Sequence, residues 1–193
     1  AQTRVKRLLV YSSIGHMGYL LMGVASGTVE GLQSVLLYLC IYFVMTVNIF
    51  AIILSLRDEQ TGHNVKYIED MSMLSKSHPL LAFSLSLTLF SMAGIPPLAG
   101  FCSKFYLFFA ALSSSLYFLA VFGILSSMLS CFYYLRVIKT MYFDQSKQPF
   151  QNVTMDHEKS WVITLTTFFV LFFFLYPNVA FLWTQKVALL FLG

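Results

Sequence analysis

Between Pro79 and Leu112 the chain is apolar for longer than one straight membrane crossing allows. At about 1.5 Å per residue an unbroken helix over this run reaches roughly 50 Å, against a hydrocarbon layer of about 30 Å. In its middle stands Ala93-Gly94-Ile95-Pro96-Pro97-Leu98-Ala99-Gly100. Pro96 and Pro97 have no amide donor, and their rings push the preceding residues out of the α region, so the helix is predicted to break near Gly94. A break strands backbone carbonyls, which a membrane interior tolerates only where protein or a water-filled cavity surrounds them. Past the prolines comes Lys104, the only basic residue of the run, set among Phe101, Cys102, Phe105, Tyr106 and Leu107. About nine residues, roughly 13 Å of helix, separate it from the polar Ser113-Ser114-Ser115 turn, which puts it near the middle of the layer.

Such a run belongs to a particular kind of chain. With 58% hydrophobic and 10% charged residues and a mean hydropathy of +0.76, this is an all-α polytopic membrane protein rather than a soluble domain. The 193 residues are predicted to form one membrane domain with five transmembrane helices. They fall at about 8–25, 32–56, 79–112 (the broken one), 116–137 and 161–176, the last closed by Pro177. Residues 178–192 are apolar but carry Gln185 and Lys186, so a helix lying in the membrane interface is expected there. Val65 to Leu74 is expected to form a short surface helix in the polar loop that begins Arg57-Asp58-Glu59-Gln60 and runs to Ser77. No extramembrane stretch is long enough to bury a core of its own. The first apolar run leads to further crossings rather than to a cleavage site, so no signal peptide is expected. The opening Ala1-Gln2-Thr3-Arg4 lacks an initiator Met, as in a chain that is processed or that continues a segment encoded elsewhere.

The formal charge of +4 comes from residues spread over several loops, with no run that could serve as a nucleic-acid patch. Apart from Lys104 and Lys186, every Lys and Arg lies at the N-terminus (Arg4, Lys6, Arg7), in the second-to-third loop (Arg57, Lys66, Lys76) or around the fourth-to-fifth loop (Arg136, Lys139, Lys147, Lys159). The parity of five crossings puts these regions on one face, which the positive-inside rule assigns to the cytoplasm or matrix, with the C-terminus on the other side. Cys40, Cys102 and Cys131 sit in apolar segments without metal or redox spacing and read as small buried residues. His63, His78 and His157 fall in or beside loops without ligand spacing. There is no phosphate loop, dinucleotide fingerprint, catalytic triad or carboxylate pair, so neither redox nor hydrolytic chemistry, and no metal or cofactor, is expected on this chain.

Lys104 is the sharpest candidate for a function. An amine held in oil keeps its charge at a cost, so giving up and regaining a proton become comparable in free energy, and such a group can relay protons. The competing reading is a lysine that snorkels outward, but a stem of roughly 6 Å covers only about half the distance to the polar edge. His16, in the first span, shares a stripe with Ser12, Tyr19 and Gly23. Ser84, Thr88 and Ser91 form a polar stripe leading from the basic face toward the break. Ser130 and Tyr134, near Ser126 and Ser127, offer a similar line on the fourth span. Each could belong to a proton path, and each could equally serve helix packing, as interhelical hydrogen bonds at Thr46 and Asn48 are expected to do.

Three motifs carry a resemblance. Lys6-Arg7-Leu8-Leu9-Val10-Tyr11-Ser12-Ser13-Ile14-Gly15-His16-Met17-Gly18-Tyr19, then Ala93-Gly94-Ile95-Pro96-Pro97-Leu98-Ala99-Gly100-Phe101 through Lys104-Phe105, and Phe132-Tyr133-Tyr134-Leu135-Arg136 resemble the antiporter-like membrane subunits of proton-pumping NADH:ubiquinone oxidoreductase, respiratory complex I. The likeness covers essentially the whole chain and is greatest to the subunit 2 family of mitochondria. It implies a fold of fourteen helices of which this chain looks like the tenth to fourteenth. It further implies that Lys104 is the buried lysine of the second, inverted repeat, one of a row of charges along the membrane arm, and that the basic face is the matrix. Two charges about 12 Å apart at an effective dielectric of about 20 couple by roughly 1.4 kcal/mol, enough for one site to bias its neighbour.

The helices that would carry the first repeat are absent, so the resemblance implies a companion chain supplying about nine spans, packed against the first four here. The other membrane-arm subunits and the lipid of the mitochondrial inner membrane are the remaining expected partners. Two alternatives stay open: a non-conducting scaffold of the membrane arm, and part of a cation/proton antiporter.

Overall fold

A computed structural model describes residues 2–56, 65–144 and 157–192. Arg57, Asp58, Glu59, Gln60 and His63 of one polar loop, and Lys147 and Asp156 of the other, lie outside the described residues. The elements are α1 (Val5–Ala25), α2 (Val29–Ser55), a 3-10 turn (Glu69–Met71), α3 (Leu74–Ser77), α4 (Pro79–Ala93), α5 (Ala99–Ser113), α6 (Tyr117–Phe143), α7 (His157–Phe172) with a 3-10 turn (Phe173–Leu175), and α8 (Asn178–Leu192). Among the described residues four helices are long and apolar enough to cross a membrane: Val5–Ala25, Val29–Ser55, Tyr117–Phe143 and His157–Leu175. Helices α4 and α5 are too short to cross singly and form the two halves of the broken third span.

The bundle is organised on α2, which packs against α1, α4, α5, α7 and α8. Its inner face, Leu37, Ile41, Met45, Ile49, Ile52 and Ile53, is buried. The outer faces of α6 (Phe118, Phe122, Leu129, Phe132) and α7 (Trp161, Leu165, Phe168) stay exposed and apolar, as suits helices that meet lipid. Helix α1 also exposes apolar residues, Val10, Ile14, Met17 and Leu21. After Pro177, α8 packs on α2 and its Phe181 meets α5. The Gln33 amide donates to the Phe181 carbonyl at 3.3 Å, and the Tyr106 and Phe181 rings lie 4.4 Å apart.

Apart from α1 and α2 starting three residues early, at Val5 and Val29, three places differ from the sequence expectation. The short surface helix over Val65 to Leu74 is replaced by the 3-10 turn and the four-residue α3, with Val65, Ile68, Met71 and Leu74 buried. The cause is a long-range pairing. Val5 N–H donates to Lys66 O at 3.1 Å and Ile68 N–H to Thr3 O at 2.9 Å, which with the Arg4–Tyr67 bridge holds residues 65–68 beside the N-terminus. Helix α6 runs on to Phe143 because Val137, Ile138, Thr140 and Met141 continue its buried face. Helix α7 starts at His157, where Glu158 in the first turn suits the positive end of the helix dipole.

Candidate functional site

The break lies where the prolines demand it. Helix α4 ends on Gly94 at φ 89°, a left-handed cap, and α5 begins at Ala99. In a continuous helix Met92 O and Ala93 O would accept the amides of residues 96 and 97. Both are prolines, so both carbonyls are left without that donor. Lys104, five residues into α5 and 4% exposed, fills the vacancy: its Nζ donates to Met92 O at 2.8 Å and to Ala93 O at 3.4 Å. The amine thus sits at the negative end of the α4 dipole. Gly94 keeps the approach open, since a Cβ there would lie 3.2 Å from Lys104 Cδ.

Ser91 ties the two half-helices together. Its hydroxyl accepts Gly100 N–H at 2.9 Å, and its carbonyl accepts Gly94 N–H at 3.0 Å. Contact is so close that a Cβ on Gly100 would stand 1.9 Å from Ser91 O.

On the other side of Lys104 lies Tyr19 of α1, whose ring centroid is 5.0 Å from Nζ. Its ring meets that of His16 edge-on at 6.0 Å. His16, buried, is hydrogen-bonded through Nδ1 to the Tyr38 hydroxyl at 2.5 Å and through Nε2 to the Tyr134 hydroxyl at 3.0 Å. The Tyr134 hydroxyl also bonds Ser12 Oγ. A neutral imidazole donates from one nitrogen and accepts at the other. Ser12, Tyr134, His16 and Tyr38 therefore form a continuous hydrogen-bonded row drawn from α1, α2 and α6.

Of the residues singled out in the sequence, the structure brings together His16, Tyr134 and, across the Tyr19 ring, Lys104, with Gly94, Pro96 and Pro97 shaping the lysine's seat. The α4 hydroxyls are turned elsewhere. Ser84 bonds Asn48 of α2 and Thr167 of α7, and Asn48 Nδ2 donates to Thr167 at 3.0 Å. Thr88 donates to Ser84 O at 2.8 Å. Ser130 donates back to Ser126 O, and Thr46 to carbonyls of its own helix. Sequence reasoning did not single out Tyr38; its only signal was a tyrosine pair, Tyr38 and Tyr42, one helical turn apart on an otherwise aliphatic face. Among the described residues no group of His, Cys, Asp or Glu is arranged to hold a metal ion.

Fold and site together define a class: a polytopic helical membrane protein in which a discontinuous helix presents stranded carbonyls to a buried amine. The chain belongs to the NADH:quinone oxidoreductase/Mrp antiporter transmembrane family, whose model matches residues 1–130. It is 57% identical over 189 residues to NADH-ubiquinone oxidoreductase chain 2 of Marchantia polymorpha, covering 98% of this chain and 38% of that protein. It is 50% identical over 178 residues to NADH-quinone oxidoreductase subunit N of Rhodospirillum rubrum, covering 92% of this chain and 36% of that one. A chain of respiratory complex I from Thermus thermophilus with bound aureothin superposes with a TM-score of 0.80 at 27% identity, over 94% of this chain and 40% of that one. The resemblance carried by the His16 and Gly94 to Lys104 motifs is borne out. The chain spans less than two fifths of the length of the curated relatives it matches.

Proposed function

We propose that this chain is the C-terminal part of subunit 2 of proton-pumping NADH:ubiquinone oxidoreductase, with Lys104 as the buried proton relay of its second half-channel. The observation that carries the reading is the lysine itself. A basic side chain almost removed from the surface and fastened to two stranded carbonyls has no packing role that an apolar residue would not fill better, and in a membrane interior such a group marks an ion path. His16 and Tyr134 continue the path on the far side of Tyr19. Ser84, Thr88, Ser91 and Ser130 were candidates for the same path; their hydrogen bonds close within their own clusters, which supports a packing role instead.

NADH oxidation belongs to other subunits, and no cofactor is assigned to this one. In this reading the chain lies in the mitochondrial inner membrane with its N-terminus in the matrix and its C-terminus, with α8 in the interface, on the intermembrane-space side. The exposed apolar face of α1 suits packing against the N-terminal helices of such a subunit. Other membrane-arm subunits complete the surroundings.

The test is Lys104→Ala in the assembled complex. A relay predicts assembly with impaired proton translocation per NADH oxidised, whereas a non-conducting scaffold predicts assembly and translocation both near normal. The family's kinship with Mrp antiporters supplies the second reading, part of a cation/proton antiporter; sodium-dependent transport without NADH oxidation would favour it.

A further inference from the structure

Resting on the relay reading, we infer that Tyr19 is a positioning residue for Lys104, whose ring holds the charged amine at the break and keeps it out of the hydroxyl row that runs through His16. The amine has three N–H groups, and two point to Met92 O and Ala93 O. Tyr19 covers the amine from the other side, its centroid 5.0 Å from Nζ. An aromatic face attracts a cation through its quadrupole and gives a neutral amine almost nothing, most of all where water is excluded. The ring therefore distinguishes the two protonation states of Lys104.

Three further observations support this role. Tyr19 is 4% exposed, and its ring is wedged by edge contacts with His16 at 6.0 Å, Tyr38 at 6.1 Å and Phe108 at 6.1 Å. It is a fixed wall rather than a swinging arm. Its hydroxyl turns toward Ser126 and Ser130 of α6 and closes no hydrogen bond of ordinary geometry among the described residues, so the oxygen stands outside the row of Ser12, Tyr134, His16 and Tyr38. Finally, Lys104 has no ion pair among the described residues. The titratable groups that act on it are Tyr19 and His16 of α1 and Cys131 of α6. No carboxylate is among them. Two carbonyls and one ring are what hold the charge; once the proton leaves, the ring's hold ends and the amine is free to turn toward His16.

The experiment compares Tyr19→Phe, Tyr19→Leu and Lys104→Ala in the assembled complex, measuring proton translocation per NADH oxidised in sealed vesicles. Phe keeps the ring and is expected to stay within about twofold of the unmodified complex, while Leu falls roughly fivefold or more, toward the level of Lys104→Ala. Should Leu prevent assembly, Tyr19→Met fills the space with a ringless chain and carries the same expectation. A second readout is acylation of the Lys104 amine by a small amine-directed reagent, followed by mass spectrometry. It is expected to be roughly fivefold or more faster in the Leu or Met variant than in the Phe variant. Equal acylation, Leu translocating like the unmodified complex, or Phe losing as much as Leu would each overturn the role of the ring. If Lys104→Ala itself translocates normally, the relay reading falls and this inference with it. Impaired Lys104→Ala beside an unaffected Tyr19→Leu removes only the ring.

Discussion

Lys104 Nζ reaches the Met92 carbonyl at 2.8 Å, and that carbonyl is open because Pro96, four residues on, has no N–H to offer it. Ala93 and Pro97 repeat the relation at 3.4 Å. The paired prolines thus do more than bend a helix: they create two acceptors at the depth where α5 delivers an amine. Hydrogen bonds to a charged group contribute about 1.5–3 kcal/mol each, comparable to the cost of keeping the charge out of water.

Restoring the donors should undo the seat. In the double variant Pro96→Ala, Pro97→Ala the two carbonyls regain backbone partners and Lys104 loses its own. The expected outcome is a complex that assembles but whose proton translocation per NADH falls by roughly tenfold or more, since each of the two charged hydrogen bonds lost is worth at least about tenfold. Translocation that holds up with both donors in place would show that the seat is dispensable.

The joint between the half-helices is tighter still. With a Cβ on Gly100 standing 1.9 Å from Ser91 O, Gly100→Ala has to push backbone against backbone. A loss of about 1–3 kcal/mol or more is expected, read as lowered abundance or thermal stability of the complex. Gly94→Ala meets a different obstacle, a left-handed φ of 89° that costs roughly 1–2 kcal/mol for a residue with a Cβ.

His16→Gln separates bonding from proton exchange. A glutamine can offer a donor to one tyrosine and an acceptor to the other, yet its amide does not pass a proton as an imidazole does. Assembly within about 1 kcal/mol of normal is expected, together with a fall of about a hundredfold in translocation. A Gln variant that pumps fully would take His16 off the path.

Asn48→Leu probes the polar cluster of α2, α4 and α7. Interhelical hydrogen bonds of this sort are worth about 0.6–2 kcal/mol, so a modest loss of stability is expected while translocation per NADH stays unchanged. A reduced ratio in a fully assembled complex would instead make Ser84 part of the conducting route.

The break was legible because a missing proline donor is a property of the chain itself and needs no tertiary context. Membrane class and the crossings followed from hydropathy for the same reason. What the sequence could not supply was the rotation of each helix about its axis. Ser84, Thr88 and Ser91 do share a stripe, but Ser84 faces Asn48 and Thr167 while Ser91 faces Gly100, and spacing alone does not distinguish these directions. Tyr19 shows in the sequence only as a member of the His16 stripe and Tyr38 not at all, because their partners lie across α1, α2 and α6. Residues 65–74 were misassigned because their conformation is set by Thr3 and Val5, sixty-odd positions away.

The row of Ser12, Tyr134, His16 and Tyr38 is one molecule thick and can be polarised in either sense. When each member gives a hydrogen to the next, a proton passed along the row would leave every link pointing backward. The queue is then spent until its hydroxyls rotate and the imidazole exchanges tautomers. If protons take this row, as the relay reading has it, the conduit counts: it would deliver a single particle, close itself, and open again only after a reset, tying transport to discrete steps rather than to a continuous leak.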